Sequence, residues 1–395
     1  MFMLLPRHLI TAPRWSGLCL SAALLCACST SQPPTQKLAP PATVASAPAL
    51  TPTAEVQAVN TPTVVPQWVT RSGDPDSYGG RTDARALARE IAQAHALDEA
   101  WVWSALSAAR YQSQAARLMM PAPRGTAKNW GVYRSRFIEP IRIRAGVAFW
   151  QQYEGELKRA ETQYGVPAEI IAGVIGVETI YGRYTGNFRV LDVLTTLSLD
   201  FPTGRSDRSP FFKKELGAYL KLWAEQRLAP EAVSGSYAGA IGWPQFMPSS
   251  IRRWGVDFDG NGKVDLQNSP IDAIGSVAHY LAEHGWRTGQ ATHFSVTAPS
   301  DDAARHKLLA PDILPSFSVD EMRSLGATLP ESASQHSGPL ALVLLENGDS
   351  EPTLIAGTQN FYAITRYNQS SYYALAVVEL GQAVSQAAKT TVSTP

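Results

Sequence analysis

Residues 167–182 read PAEIIAGVIGVETIYG. Pro167 suits the first helical position, whose N–H has no intrahelical partner in any case, and Gly182 suits a helix stop. Between them Ile170, Ile171, Val174, Ile175, Val177 and Ile180 cover most of the circumference, so the spacing predicts a central helix. Glu169 falls about half a turn around the axis from Glu178, so it can face water while Glu178 does not. Glu178 is the residue out of place.

A carboxyl in a dry site near a helix C-terminus is disfavoured as an anion by desolvation and by the negative end of the helix dipole. Both effects favour the protonated form that a general acid needs. A Glu paired with an Arg, or capping a neighbouring turn, is the alternative that this helix alone leaves open.

The chain has 395 residues, 45% of them hydrophobic, enough for a large core and two or three domains. Its 34 basic and 34 acidic residues balance, which argues against a polyanion such as nucleic acid as a partner. The 10 Trp and 14 Tyr suit sugar faces and cores alike. All three cysteines, Cys19, Cys26 and Cys28, fall in the first thirty residues, so the remainder carries no disulfide framework or thiol chemistry.

Those first residues read as a targeting segment. Arg7 and Arg14 form a positive region, Ser16 to Ala27 an apolar one, and Leu25-Cys26-Ala27-Cys28 resembles a bacterial lipoprotein signal, cleaved before a lipidated Cys28. Cys26 departs from the usual residue at its position, and cleavage near Ala27 to a soluble periplasmic protein is the alternative. Ser29 stands where an Asp would retain such lipoproteins at the inner membrane; by that resemblance the anchor sits in the outer membrane, facing the periplasm. Residues 29–66, rich in Pro, Ala and Thr, read as a disordered tether. Extended, it reaches roughly 120 Å at ~3.1 Å per residue. No later run is long and apolar enough to span a bilayer.

Order is expected from about Gln67. Thr82-Asp83 is read as the cap of a first helix and Asp98 as the cap of a second. After a break at Pro121-Ala-Pro-Arg-Gly125, one helix is expected from Ala145 to Tyr164, then the helix of Glu178. Further helices are expected over Phe211–Gln226, into Trp254, over Asp272–His284, and from Tyr373 through Val384. Ala341–Leu345 and Thr353–Ala356 read as strands around Asn347-Gly348. The chain is therefore mainly α, as an α+β protein with a small β insert.

Asp257-Phe-Asp259-Gly-Asn261-Gly-Lys263-Val-Asp265 fits the first half of an EF-hand loop. Alternate positions bring Asp257, Asp259, Asn261 and the Lys263 carbonyl to one point, as a hard Ca2+ ion requires. Position twelve is Asn268 in place of Glu, and Asp272 on the next helix is the candidate for the missing carboxylate. The ion's role would be structural; an Asx-rich surface turn is the alternative. Residues 236–248, SYAGAIGWPQFMP, interleave small residues with Ser236, Trp243, Gln245 and Phe246, which suits either a ligand approaching the backbone or a tightly packed turn. Arg366-Tyr367-Asn368, with Tyr372-Tyr373, offers donors just before a helix, or an ordinary cap. Seven scattered histidines form no H-E-x-x-H pair, and there is no G-x-S-x-G elbow or Walker loop, so catalytic zinc, serine-hydrolase and P-loop chemistries are not indicated.

Taken together, Gly173-Val-Ile-Gly176-Val-Glu178-Thr, the segment from Gly235-Ser236 through Gln245-Phe-Met-Pro, the calcium-like loop into Asp272-Ala-Ile-Gly-Ser276, and Ile364-Thr-Arg366-Tyr367-Asn368 with Tyr373 resemble the membrane-bound lytic murein transglycosylase B family. Asn129-Trp130, Tyr133, Arg136-Phe137 and Arg142-Ile143 extend the likeness, whereas residues 292–359 match poorly and 203–208 are expanded. The resemblance implies a lysozyme-like core over 145–290, carrying the calcium loop. Around it lie a signal peptide at 1–28, the tether at 29–66, an N-terminal helical region at 67–144, an α/β insert at 291–360 and a closing segment at 361–388. It also implies one Glu, matching Glu178, that performs both proton transfers in forming 1,6-anhydro-muramoyl ends from peptidoglycan glycan strands. Ser236, Gln245, Tyr367, Asn368 and Tyr373 would line the glycan groove. A hydrolytic muramidase on the same fold and a non-catalytic peptidoglycan-binding lipoprotein are the rival readings.

Overall fold

The computed structural model describes residues 76–120 and 128–392. Cys28, the tether and the Pro121 to Gly125 break lie outside the described residues.

In chain order the first helices are α1 (Thr82–His95), α2 (Glu99–Ala108), α3 (Ser113–Leu118), α4 (Trp130–Ser135), α5 (Pro140–Gln152), α6 (Glu154–Tyr164) and α7 (Ala168–Thr179). A short strand, β1 (Phe188–Arg189), precedes α8 (Val190–Leu199) and α9 (Ser209–Gln226). Then come β2 (Ser234–Gly235), α10 (Pro248–Trp254), α11 (Pro270–Glu283) and β3 (His293–Ser295). The chain continues through α12 (Asp302–Leu309), α13 (Val319–Ser324), β4 (Ala341–Asn347), β5 (Ser350–Gly357), α14 (Gln359–Tyr367) and α15 (Ser371–Val392).

α7 is the central helix, and every residue from Ile170 to Val177 is buried. Each fully buried Ile, such as Ile171 or Ile175, contributes about 1.5–3 kcal/mol of transfer free energy. Its most extensive neighbour is α15. A Cβ on Gly173 would lie 2.2 Å from Val377 O, and one on Gly381 would lie 2.0 Å from Glu169 O. These glycines let the two backbones touch, which explains why small residues interrupt an otherwise bulky apolar run.

Several sequence expectations meet corrections. Pro167 is the N-cap of α7 and not its first turn, and the helix ends at Thr179, before Gly182. The single helix expected over 145–164 is two, divided at Tyr153 (φ −118°, ψ 26°), because α5 packs on α15 whereas α6 packs on α11. α5 starts earlier than expected, where Glu139 accepts from the N–H groups of Ile141 and Arg142. The N-cap of α1 is Arg81, with no side-chain cap on the helix backbone; Asp83 lies inside the first turn, where its carboxylate pairs with the Arg81 guanidinium. Asp98 does cap α2, accepting from Trp101 N at 2.7 Å. α8 and α14 carry no sequence expectation.

Strands β3, β5 and β4 form an antiparallel sheet with β5 in the middle, Leu344 opposite Leu354 and the Asn347-Gly348 turn at its tip. A second, smaller core lies on this sheet, gathering Leu308, Met322, Leu340, Leu342 and Ala356. The hairpin tip joins the main body where Asn347 Oδ1 accepts from Gly131 N at 3.2 Å and Tyr372 donates to Glu346 O at 3.2 Å.

Candidate active site

Glu178 is the penultimate residue of α7 and is half-buried, with its carboxyl turned into the main body. The Tyr373 hydroxyl donates to Glu178 Oε1 at 2.6 Å. Burial pushes the carboxyl from its ordinary 4.5 up to about 7, while the Tyr373 hydrogen bond and the charge of Arg142 act in the opposite direction. Among the described residues, no second carboxylate is one of the groups that shift Glu178.

Arg142 changes the physical account of that shift. Its buried Nη1 donates to Gly176 O at 3.0 Å and Val177 O at 3.2 Å, two carbonyls of the last turn of α7. A guanidinium on those carbonyls offsets the negative end of the dipole. Of the two effects expected to raise Glu178, desolvation is the one that remains. In the sequence Arg142 stood only among the residues that extend the family likeness, with no role in the site. The available signal was a cation in an apolar amphipathic segment, which needs a buried partner.

Beyond the helix the chain turns sharply. Ile180 and Tyr181 both adopt left-handed backbone, with φ of 52° and 54°, an uncommon state for a β-branched residue. Thr179 Oγ1 secures the turn, donating to Trp243 O at 3.0 Å and accepting from Gly182 N at 3.0 Å. A Cβ on Gly182 would fall 2.5 Å from the Trp243 indole, so glycine is required there for close approach as well as for its φ of 80°. Strain of this kind clusters at functional sites because the surrounding structure must hold it.

The 236–248 segment folds against this turn. Gln245 (φ 50°) donates through Nε2 to Gly242 O at 2.8 Å and to Thr185 O at 3.0 Å, which leaves its Oε1 to accept. Ser236 Oγ accepts from Ala238 N at 3.3 Å and Ala240 N at 3.0 Å, so its own hydrogen is the group it has to offer. Tyr367 is buried and donates to Pro244 O at 2.6 Å, and its ring stacks with Tyr373 at 6.2 Å. Asn368 is the C-cap of α14, next to Tyr367. Glu178 thus contacts Tyr373 directly. Tyr373 stacks on Tyr367 of α14, and Tyr367 in turn bonds Pro244 of the turn that carries Gln245.

In the acidic loop, carboxylate oxygens of Asp257, Asp259 and Asp272 lie within 4.8 Å of one another. Asp257 accepts from the backbone of Gly260, Asn261 and Gly262, while Asp272 accepts from Phe258, Asp259 and Asp265. Asn261 Oδ1 accepts from Lys263 N at 3.0 Å. Two loop carboxylates, Asp257 and Asp259, converging with Asp272 from the first turn of α11 are a hard-oxygen donor set that fits Ca2+. The loop reaches the helix of Glu178 in two steps: Leu266 O accepts from Trp243 N at 2.9 Å, and Trp243 O accepts from Thr179 Oγ1.

A mainly helical core with small antiparallel sheets, carrying a raised carboxyl at the end of its central helix, is of the lysozyme-like class. Residues 80–382 match the transglycosylase SLT domain, and the chain belongs to this family of lytic transglycosylases, enzymes of peptidoglycan turnover. It is 36% identical over 318 residues to the membrane-bound lytic murein transglycosylase B of Escherichia coli (strain K12), covering 78% of this chain and 84% of that protein. The structure of the lytic transglycosylase SltB1 from Pseudomonas aeruginosa matches with a TM-score of 0.71 and 38% identity, over 79% of this chain and 99% of that one. The Escherichia coli lytic transglycosylase Slt35, solved in complex with calcium, matches with a TM-score of 0.67 and 38% identity, over 78% of this chain and 94% of that one.

Proposed function

We propose that Glu178 alone serves as acid and then base in cleaving the β-1,4 bond between N-acetylmuramic acid and N-acetylglucosamine, leaving a 1,6-anhydro-muramoyl end. The observation that carries this reading is the raised, Tyr373-bonded carboxyl with no second carboxylate acting on it. Glycosidases that activate water, or form a glycosyl-enzyme, need two carboxyl groups on either side of the bond. A site with one is suited to a nucleophile carried by the substrate.

Protonated Glu178 gives its proton to the glycosidic oxygen as the bond from C1 to that oxygen breaks. The 2-acetamido carbonyl of the muramic residue stabilises the developing cation. The Glu178 carboxylate then accepts the proton of the muramic 6-hydroxyl while O6 bonds to C1, so no water enters the product. Tyr373 holds the carboxyl in place through both transfers. Ser236, Gln245 and Asn368 contribute a donor, an acceptor and an amide to the groove, and Tyr367 fixes the turn that carries Gln245.

Ca2+ would be held by Asp257, Asp259, Asn261, the Lys263 carbonyl and Asp272, supplying rigidity and no reactive group. Its loop supports Trp243 and, through Thr179, the helix end of Glu178. Among the described residues no helix is long and apolar enough to cross a membrane. Lipidation of Cys28 would hold the enzyme at the periplasmic face of the outer membrane, with residues 29–66 as the tether.

Muropeptide mass spectrometry of digested sacculi tests the reaction. The expected product lacks the mass of one water at its muramic end, and Glu178→Gln releases none of it. A water-containing reducing end would establish hydrolysis in its place.

A further inference from the structure

Tyr184 is 71% exposed, more than any other large hydrophobic side chain among the described residues, the next being Ile141 at 56%. It contributes almost nothing to the core, and no hydrogen bond or ring partner holds its side chain. Its backbone, by contrast, is held on both sides. Tyr184 N donates to Thr179 O at 3.0 Å, one residue beyond Glu178. The next residue, Thr185, gives its carbonyl to Gln245 Nε2 at 3.0 Å. A few residues on, β1 pairs with β2, with Phe188 opposite Gly235 and therefore beside Ser236. The loop bearing Tyr184 is bracketed by Glu178 on one side and by Gln245 and Ser236 on the other.

A flat apolar ring kept in water on a fixed backbone is unfavourable in the free protein and becomes favourable when an apolar face covers it. A pyranose ring presents such a face through its axial C–H groups. Tyr has only two side-chain torsions to order on contact, so the entropy lost is small.

We infer that Tyr184 is a glycan-binding platform at the rim of the groove, stacking on a sugar ring that flanks the scissile bond of the murein strand. The inference rests on the murein reading of the Glu178 site. It makes Tyr184 a substrate-binding residue outside the motifs by which the sequence resembles its family.

Binding is measured by co-sedimentation with purified sacculi, in a Glu178→Gln background so that nothing is cleaved. Tyr184→Ala raises the half-saturating amount of sacculi about ten-fold, the 1.4 kcal/mol of one decade in a binding constant. Tyr184→Trp and Tyr184→Phe keep binding near the parental value, because each retains a flat ring. The melting temperature of Tyr184→Ala stays at the parental value, which separates lost contact from lost fold. Equal binding by Tyr184→Ala and the parent, with wild type still releasing anhydro-muropeptides, overturns the platform alone. A wild type that neither pellets with sacculi nor releases muropeptides overturns the murein reading and the platform with it.

Discussion

Glu178→Gln tests the raised carboxyl through stability as well as rate. The folded protein holds this group at about 7 against an ordinary 4.5, so between those values the native state binds more protons than the unfolded chain. Stability therefore falls as pH rises through this window, since the ionised carboxylate is the form that burial disfavours. A shift of that size amounts to about 3 kcal/mol of destabilisation at pH 8, almost absent at pH 4. Gln keeps the shape and an acceptor for Tyr373 but never ionises. Urea denaturation of wild type and Glu178→Gln at pH 4 and pH 8 reads the difference: the variant is expected to gain about 3 kcal/mol on wild type between the two pH values. The same group predicts that wild-type kcat/KM declines about ten-fold per pH unit above roughly 7, as the acid form is lost. A stability difference that does not change with pH, together with activity level through pH 9, would refute the protonated-acid argument.

Tyr373→Phe removes the hydrogen bond that favours the anion, so the Glu178 carboxyl rises further and the alkaline decline in rate moves to higher pH; a pH–rate profile of the variant checks the direction. Arg142→Met removes the guanidinium from the Gly176 and Val177 carbonyls, of which Gly176 O keeps the Ile180 N–H, and is expected to cost about 1–3 kcal/mol in chemical denaturation, while also raising Glu178. Added Ca2+ is expected to raise the melting temperature of metal-stripped protein, by about 2.7 kcal/mol of linkage at a hundred times the dissociation constant, and Asp259→Ala to abolish the rise.

The helix of Glu178 was legible because its information is local: a run of Ile and Val, a preceding Pro, and one carboxylate that the run cannot accommodate without consequence. The acidic loop was legible for the same reason, since alternate residues of a tight turn converge on one point whatever surrounds them. The end of α7 was not. Gly182 is the residue that a sequence marks as a stop, yet the helix ends at Thr179, where Ile180 turns to left-handed backbone, Arg142 takes Val177 O, and Trp243 O takes the Thr179 hydroxyl. The division at Tyr153 was hidden similarly, because an apolar stripe does not reveal that its two halves face different helices.

By itself the sequence determined the mainly helical class, the candidate acid and the acidic loop, through periodicity and spacing over fewer than about twenty residues. The tertiary structure decided the protonation of Glu178. Tyr373, its hydrogen-bond partner, is 195 residues away, and Arg142, the cation that tempers its burial, lies on another helix. A carboxyl's proton affinity depends on the solvent it has lost and the charges within a few ångströms, and both are set by packing among distant segments of the chain.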